Sequence, residues 1–299
     1  QGVYNGNGYT ISNLKIRSGE TDKGLFGVVT GKDSSTPAVL TGIHLRNVDI
    51  DVSHNSNISC GAIAGSASTS TVITFCSARG EIKTDVTSTA GYYNHSGGII
   101  GDNSGTISYC RADVKVIASS NSGNTSTECA AGGIVGYNDG TILACEASGS
   151  EVSAQSDVAK AQAGGIAGFT NDYITSCTSG VGKIIANGNG QEVNAGGVAG
   201  NQSGAVYSSY ARGDATASGG GDDALKAGAI VGYHNAFVDI DLCIGTGAGG
   251  QGTSSLSPSS GILYKADATD KEIYNLMQTK DFTKEISTTT YDATRFPAY

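Results

Sequence analysis

The sequence predicts an all-β fold: a right-handed parallel β-helix of three-strand coils, about eight rungs long, with a small C-terminal cap. Three observations predict it. A glycine-framed apolar motif recurs as Gly97-Gly98-Ile99-Ile100-Gly101, Gly132-Gly133-Ile134-Val135-Gly136, Gly164-Gly165-Ile166-Ala167-Gly168 and Gly196-Gly197-Val198-Ala199-Gly200, with looser copies ending at Gly27, Gly65 and Gly232. The steps between closing glycines are 38, 36, 35, 32, 32 and 32 residues, a period that marks a repeat array. Behind each copy runs an apolar triplet with spacings of three and two, as in Ile142/Cys145/Ala147.

The triplet sets the shape of a coil. It recurs as Ile73/Cys76/Ala78, Ile107/Cys110/Ala112, Ile174/Cys177/Ser179, Val206/Ser209/Ala211 and Ile240/Cys243/Gly245. Toward the N-terminus the same spacing picks out Leu45/Val48/Ile50 and Ile11/Leu14/Ile16. A spacing of two keeps Cys and Ala on one strand face, whereas a spacing of three does not. A bend is therefore expected between Ile142 and Cys145. Each coil then reads as three short strands carrying Ile134, Ile142, and Cys145 with Ala147. Such a unit buries its apolar side only when stacked on a copy of itself. With coils ~4.8 Å apart, eight span roughly 40 Å. The crossover preference makes the winding right-handed.

Between third and first strands lie polar, glycine-rich segments at 119–124, 187–190 and 217–223, expected as protruding loops. After Gly261-Ile262-Leu263 the triplet stops. Thr269-Asp270-Lys271-Glu272 is a capping box, and Ile273, Leu276 and Met277 follow at helical spacing. A short helix is expected at about 270–278. The division is a solenoid over 1–264 and a cap over 265–299 that seals the last coil.

Composition narrows the function classes. Of 299 residues 45 are Gly and only 3 Pro, without a G-X-Y register, which excludes collagen. The net charge of -9 argues against nucleic acid and anionic lipid as partners. No 18-residue apolar run exists to insert in a membrane. The chain begins at Gln1, read as a processed or cut chain. Seven Cys without a C-x-x-C suggest free buried thiols. The Cys column (Cys76, Cys110, Cys145, Cys177, Cys243) reads as a ladder of small hydrophobes, not a metal site. The pairing of Cys60 and Cys129 is left open.

The run Gly132-Gly133-Ile134-Val135-Gly136-Tyr137-Asn138-Asp139-Gly140-Thr141-Ile142, continued by Cys145-Glu146-Ala147-Ser148-Gly149, resembles the GLUG repeat of bacterial surface proteins. The opening Tyr4-Asn5-Gly6-Asn7-Gly8-Tyr9-Thr10-Ile11-Ser12-Asn13-Leu14 is similar to the first coil of such proteins from gut Bacteroidales. The likeness covers about residues 1–250. It implies a β-solenoid in a secreted or cell-surface protein with adhesin-like roles. It supplies no catalytic residues.

No residue set announces catalysis, a metal or a cofactor. Asn103, Asn138, Gln202 and His234 share a turn column that reads as a structural amide ladder. Asp102, Asp139 and Asp172 stand at different offsets from the closing glycine and read as turn residues rather than a carboxylate pair. Gly245-Thr246-Gly247-Ala248-Gly249-Gly250 matches G-x-G-x-x-G but has no βαβ unit around it. The four His (44, 54, 95, 234) are scattered. Directly after the closing glycines come Tyr137, Phe169, Asn201 and Tyr233, with Tyr92 and Tyr93 in a nearby loop. By alternation Tyr137 faces outward, and such a row can stack on sugar rings or pack on itself. Tyr137, Phe169, Tyr233, Tyr92 and Tyr93 are the candidate binding residues. The function expected is a non-catalytic binding or adhesion module for a glycan or a host surface protein. Two alternatives stand beside it. One is a polysaccharide lyase or glycoside hydrolase, which needs carboxylates converging across coils, with Asp214, Asp239 and Asp241 as the set that folding could gather. The other is a passive stalk.

Overall fold

The computed structural model describes residues 2–17, 21–190, 192–219, 225–235, 240–241, 243–245 and 263–264. It is an all-β parallel solenoid of about seven turns. Every inter-strand pairing between named strands is parallel and joins one coil to the next. The expected cap, including the helix at about 270–278, lies outside the described residues.

Each coil feeds four sheets rather than the three strands expected. In one coil sheet I holds Glu128–Gly132, sheet II Val135–Asn138 and sheet III Thr141–Leu143. Sheet IV holds Glu146–Ala147 and then Glu151–Ser156. The extra strand arises because Gly133 and Ile134 form a bend, so the single strand expected around Ile134 is two. A Cβ on Gly133 would lie 2.6 Å from Ala147 Cβ and 2.2 Å from Gly165 oxygen, so glycine keeps this corner of the coil tight.

The bend between Ile142 and Cys145 is present, and its cause is one left-handed residue per coil. Gly42, Phe75, Tyr109, Ala144, Ser176 and Ser208 have φ of 62, 54, 52, 50, 56 and 46°. Past this corner the column residue turns inward. Its thiol donates back to the carbonyl two residues earlier, as Cys76 to Thr74 at 3.4 Å, Cys110 to Ser108 at 3.3 Å, Cys145 to Leu143 at 3.4 Å and Cys177 to Thr175 at 3.3 Å. Ser209 does the same at 2.8 Å, which is why Ser replaces Cys there without harm. Ile73, Ile107, Ile142, Ile174 and Val206 form an adjoining column in register, all buried.

Two expectations need correction. The first two coils are out of frame: Ile73 pairs with Leu40 and Ala78 with Leu45, so Ile43 holds the Cys position. Leu45/Val48/Ile50 mimics the triplet because Asn47, at φ 53°, bulges sheet IV and repeats the spacing one step along. Asn13, at φ 64°, does so for Ile11/Leu14/Ile16. The loops expected at 119–124, 187–190 and 217–223 are in part strand. Arg111–Ser120, Lys183–Gly188 and Asp214–Gly219 extend sheet IV. Within the expected loop spans the inward residues are Ser120, Gly188 and Ala217, weak strand formers that disguise the alternation.

All seven cysteines are free and buried. Cys60 and Cys129 are unpaired, and burial pushes each thiol up to about 12. Burial likewise holds Cys177 well above the usual thiol value, followed by its hydrogen bond with Cys145. The polar turn column is an amide ladder. Asn103 Nδ2 donates to Asn138 Oδ1 at 2.8 Å, and Asn138 Nδ2 to Thr170 Oγ1 at 3.1 Å. His234 Nδ1 meets Gln202 Oε1 at 2.6 Å.

Candidate functional site

The closing glycines make a seam between sheets I and II. A Cβ on Gly168 would come 2.6 Å from the nitrogen of Ala131, and one on Gly200 2.7 Å from that of Ala163. On Gly136 it would collide with Ser96 nitrogen. Sheet II of each coil therefore lies backbone to backbone on sheet I of the coil before. Cys129 and Ala131 join the apolar core, whereas Ala130 between them faces away from it and is still fully buried. What covers that outward face is sheet II.

The seam brings two side-chain columns together. Sheet I supplies Ser59, His95, Ala130, Gln162, Asn194 and Lys226 in register. Sheet II supplies Asp102, Tyr137, Phe169, Asn201 and Tyr233. Four rings stack across them. Tyr93 lies 4.2 Å from His95 at 17°, His95 4.7 Å from Tyr137 at 14°, and Tyr137 4.8 Å from Phe169 at 10°.

His95 is the centre of this stack. It is 4% exposed. Its Nδ1 lies 3.3 Å from Asp102 Oδ2 and its Nε2 3.6 Å from Glu128 Oε1. Burial alone would drive its pKa down, but the hydrogen bond to Asp102 and the pairing with Glu128 outweigh it and hold the imidazole above the ordinary value. The imidazole lies between two aromatic faces with a carboxylate near each ring nitrogen, a setting that favours its protonated form. Burial, with Glu128 and Asp139 nearby, pushes the Tyr137 hydroxyl up to about 12. Asn171 Nδ2 donates to that hydroxyl at 2.9 Å and to Asp139 at 2.7 Å.

Further along, the seam turns polar. Lys160 Nζ meets Glu192 Oε1 at 2.8 Å, and Asn201 Nδ2 donates to Glu192 at 3.3 Å. The buried amides of Gln162 and Asn194 and the Asn201 carbonyl oxygen have no protein partner. Lys226 Nζ sits 4.2 Å over the Tyr233 ring.

The candidate aromatics therefore fall into different settings. Tyr137, Phe169 and Tyr93 come together, but Tyr137 is sandwiched between neighbours and lends a binding partner no free ring face. Tyr233 is separated from them by Asn201 and is 37% exposed. Tyr92 packs against the core. Asp102 serves His95, Asp139 accepts from Asn171, and Asp172 caps its own turn through Tyr173 nitrogen. Asp239 and the Asp241 side chain lie outside the described residues, while Asp214 is exposed and pairs in register with Lys183.

Sequence reading missed His95, Glu128, Phe75 and Tyr109. His95 stands two residues before its glycine pair, in frame with Gln162 and Asn194, and that frame was the available signal. Phe75 and Tyr109 occupy the left-handed corner, where a bulky ring is out of place. They stack at 5.1 Å and 9° and are 58% and 49% exposed. Among the described residues no group of three or more His, Cys, Asp or Glu side chains is placed to hold a metal.

Fold and columns define the class: a parallel β-solenoid whose side chains are arrayed one per coil. Comparison with family models, with curated proteins and with solved structures finds no match.

Proposed function

We propose that this chain is the non-catalytic binding or adhesion module of an exported, GLUG-type bacterial surface protein, recognising a glycan or a host surface protein. The observation that carries the reading is the display of aromatic rings on a scaffold fixed from coil to coil. Phe75, Tyr109, Tyr173 and Tyr233 all present ring to solvent. A rigid platform loses little conformational entropy on binding. The same reading takes the winding as right-handed and residues 265–299 as a cap with a short helix.

A second reading, a glycoside hydrolase or polysaccharide lyase, draws on the convergence of Asp102, Glu128 and His95 from neighbouring coils. Both carboxylates are committed to the imidazole, and His95 Nε2 faces Glu128 rather than an open cleft, so the binding reading is preferred. A glycan and mucin binding screen run beside a reducing-sugar and unsaturated-product assay separates them. Binding without product supports the module. Turnover that is lost in Glu128→Gln supports the enzyme and removes the preferred reading.

A further inference from the structure

We infer that the face of Tyr109 turned toward the following coil is a ledge for one pyranose ring of a neutral polysaccharide. This rests on the binding reading above and names its site and ligand class.

The corner between sheets III and IV carries a left-handed residue in six successive coils. Gly42, Ala144, Ser176 and Ser208 fill that position with little or no side chain. Among the described residues only two adjacent coils place large rings there, Phe75 and Tyr109, in a conformation that bulky residues seldom adopt. Packing does not call for them, since both stand about half exposed. An outlier of this kind is the proper starting point for a functional hypothesis.

The two rings are parallel, so each covers one face of the other and leaves one outer face. In the corner column the next positions are Gly42 below Phe75 and Ala144 above Tyr109. Backbone bonds fix that register, from Gly42 nitrogen to Thr74 oxygen and from Tyr109 nitrogen to Leu143 oxygen. The Tyr109 face thus looks over Ala144, and beyond it Ser176 and Ser208 continue the column with small side chains. An open aromatic face suits one sugar ring laid flat on it.

Polar groups flank this face on one side. Arg111 and Glu146 lie two residues beyond Tyr109 and Ala144, paired in register, with Arg111 Nη2 3.2 Å from Glu146 Oε1. Both side chains are solvent-accessible. A guanidinium donor beside a carboxylate acceptor matches vicinal sugar hydroxyls, and the pair carries no net charge, which favours a neutral sugar. A single ring face is far smaller than the surface a stable protein partner buries.

The test is affinity electrophoresis of the whole chain through gels containing hydroxyethylcellulose, mixed-linkage β-glucan, galactomannan or xylan, beside mucin-coated plates. At least one polysaccharide is expected to retard the wild type. Tyr109→Ala, which installs the residue of the next coil, is expected to weaken that affinity tenfold or more with melting unchanged. Ala144→Tyr, which keeps Tyr109 but covers its open face, is expected to abolish it. Retardation that survives both Tyr109→Ala and Ala144→Tyr overturns the ledge and leaves the binding reading intact. No retardation in any gel also overturns the ledge. Mucin capture in that case keeps the binding reading, and its absence removes both.

Discussion

The two aromatic stacks of this solenoid obey the same register and end in opposite states. At the seam, Tyr93 and His95 meet Tyr137 and Phe169 of sheet II, and the inner rings have neighbours on both faces. At the corner, Phe75 and Tyr109 come from one column with Gly42 and Ala144 on either side. The difference teaches that a column of rings is not in itself a site. What decides is whether a second sheet, or only a small residue, lies against the outer face.

The largest effect should come from reopening the seam. Gly136→Ala puts a methyl into the backbone of Ser96, and no flexible side chain can yield. A loss of about 3 kcal/mol or failure to fold is expected, read by urea denaturation. Ala144→Gly at the open corner should be neutral or slightly stabilising, because glycine accepts the left-handed conformation freely. Equal losses in both variants would erase the distinction between the regions.

A second contrast concerns the rings themselves. Tyr137→Ala empties a half-buried slot between His95 and Phe169 and should cost about 2 kcal/mol. Phe75→Ala removes an exposed ring from a strained position and should stay within about 0.5 kcal/mol of wild type. Reversed magnitudes in denaturant melts would mean that the corner, not the seam, is the structural stack.

The smallest expected effect is on pH dependence. The folded pKa of His95 lies above its ordinary 6.5, so the protonated ring is favoured in the folded chain. Its contribution is complete below about pH 6.5 and is lost as pH rises through the folded value. The thermal midpoint should therefore fall as pH rises above about 6.5, and His95→Gln should flatten that slope. A wild-type slope unchanged in His95→Gln would show that the imidazole is not the titrating group.

The inward columns were legible because identity repeats there. Ile107, Ile142 and Ile174, or Cys110, Cys145 and Cys177, occupy the same place in each coil and state the period outright. The left-handed corner was legible as a spacing of three, though not as a site. The seam was not legible, because its partners differ from coil to coil: His95, Ala130, Gln162 and Asn194 share one position but no chemistry. The second frame in the first two coils was hidden by the Asn13 and Asn47 bulges. The division of the expected first strand depended on how closely Gly133 approaches Ala147, which a linear pattern does not express.

The inward thiol ladder is the most direct expression of stacked coils, and it is accessible to one measurement. Titration of the reduced native chain with a small aromatic disulfide should release essentially no thiolate, since every cysteine is buried and, for Cys60 and Cys129, burial lifts the thiol to about 12. All 7 should then react together across the denaturant-unfolding transition. Rapid labelling of Cys110, Cys145 or Cys177 in the folded chain, at the rate of a free thiol, would contradict the coil register on which both the seam and the corner depend.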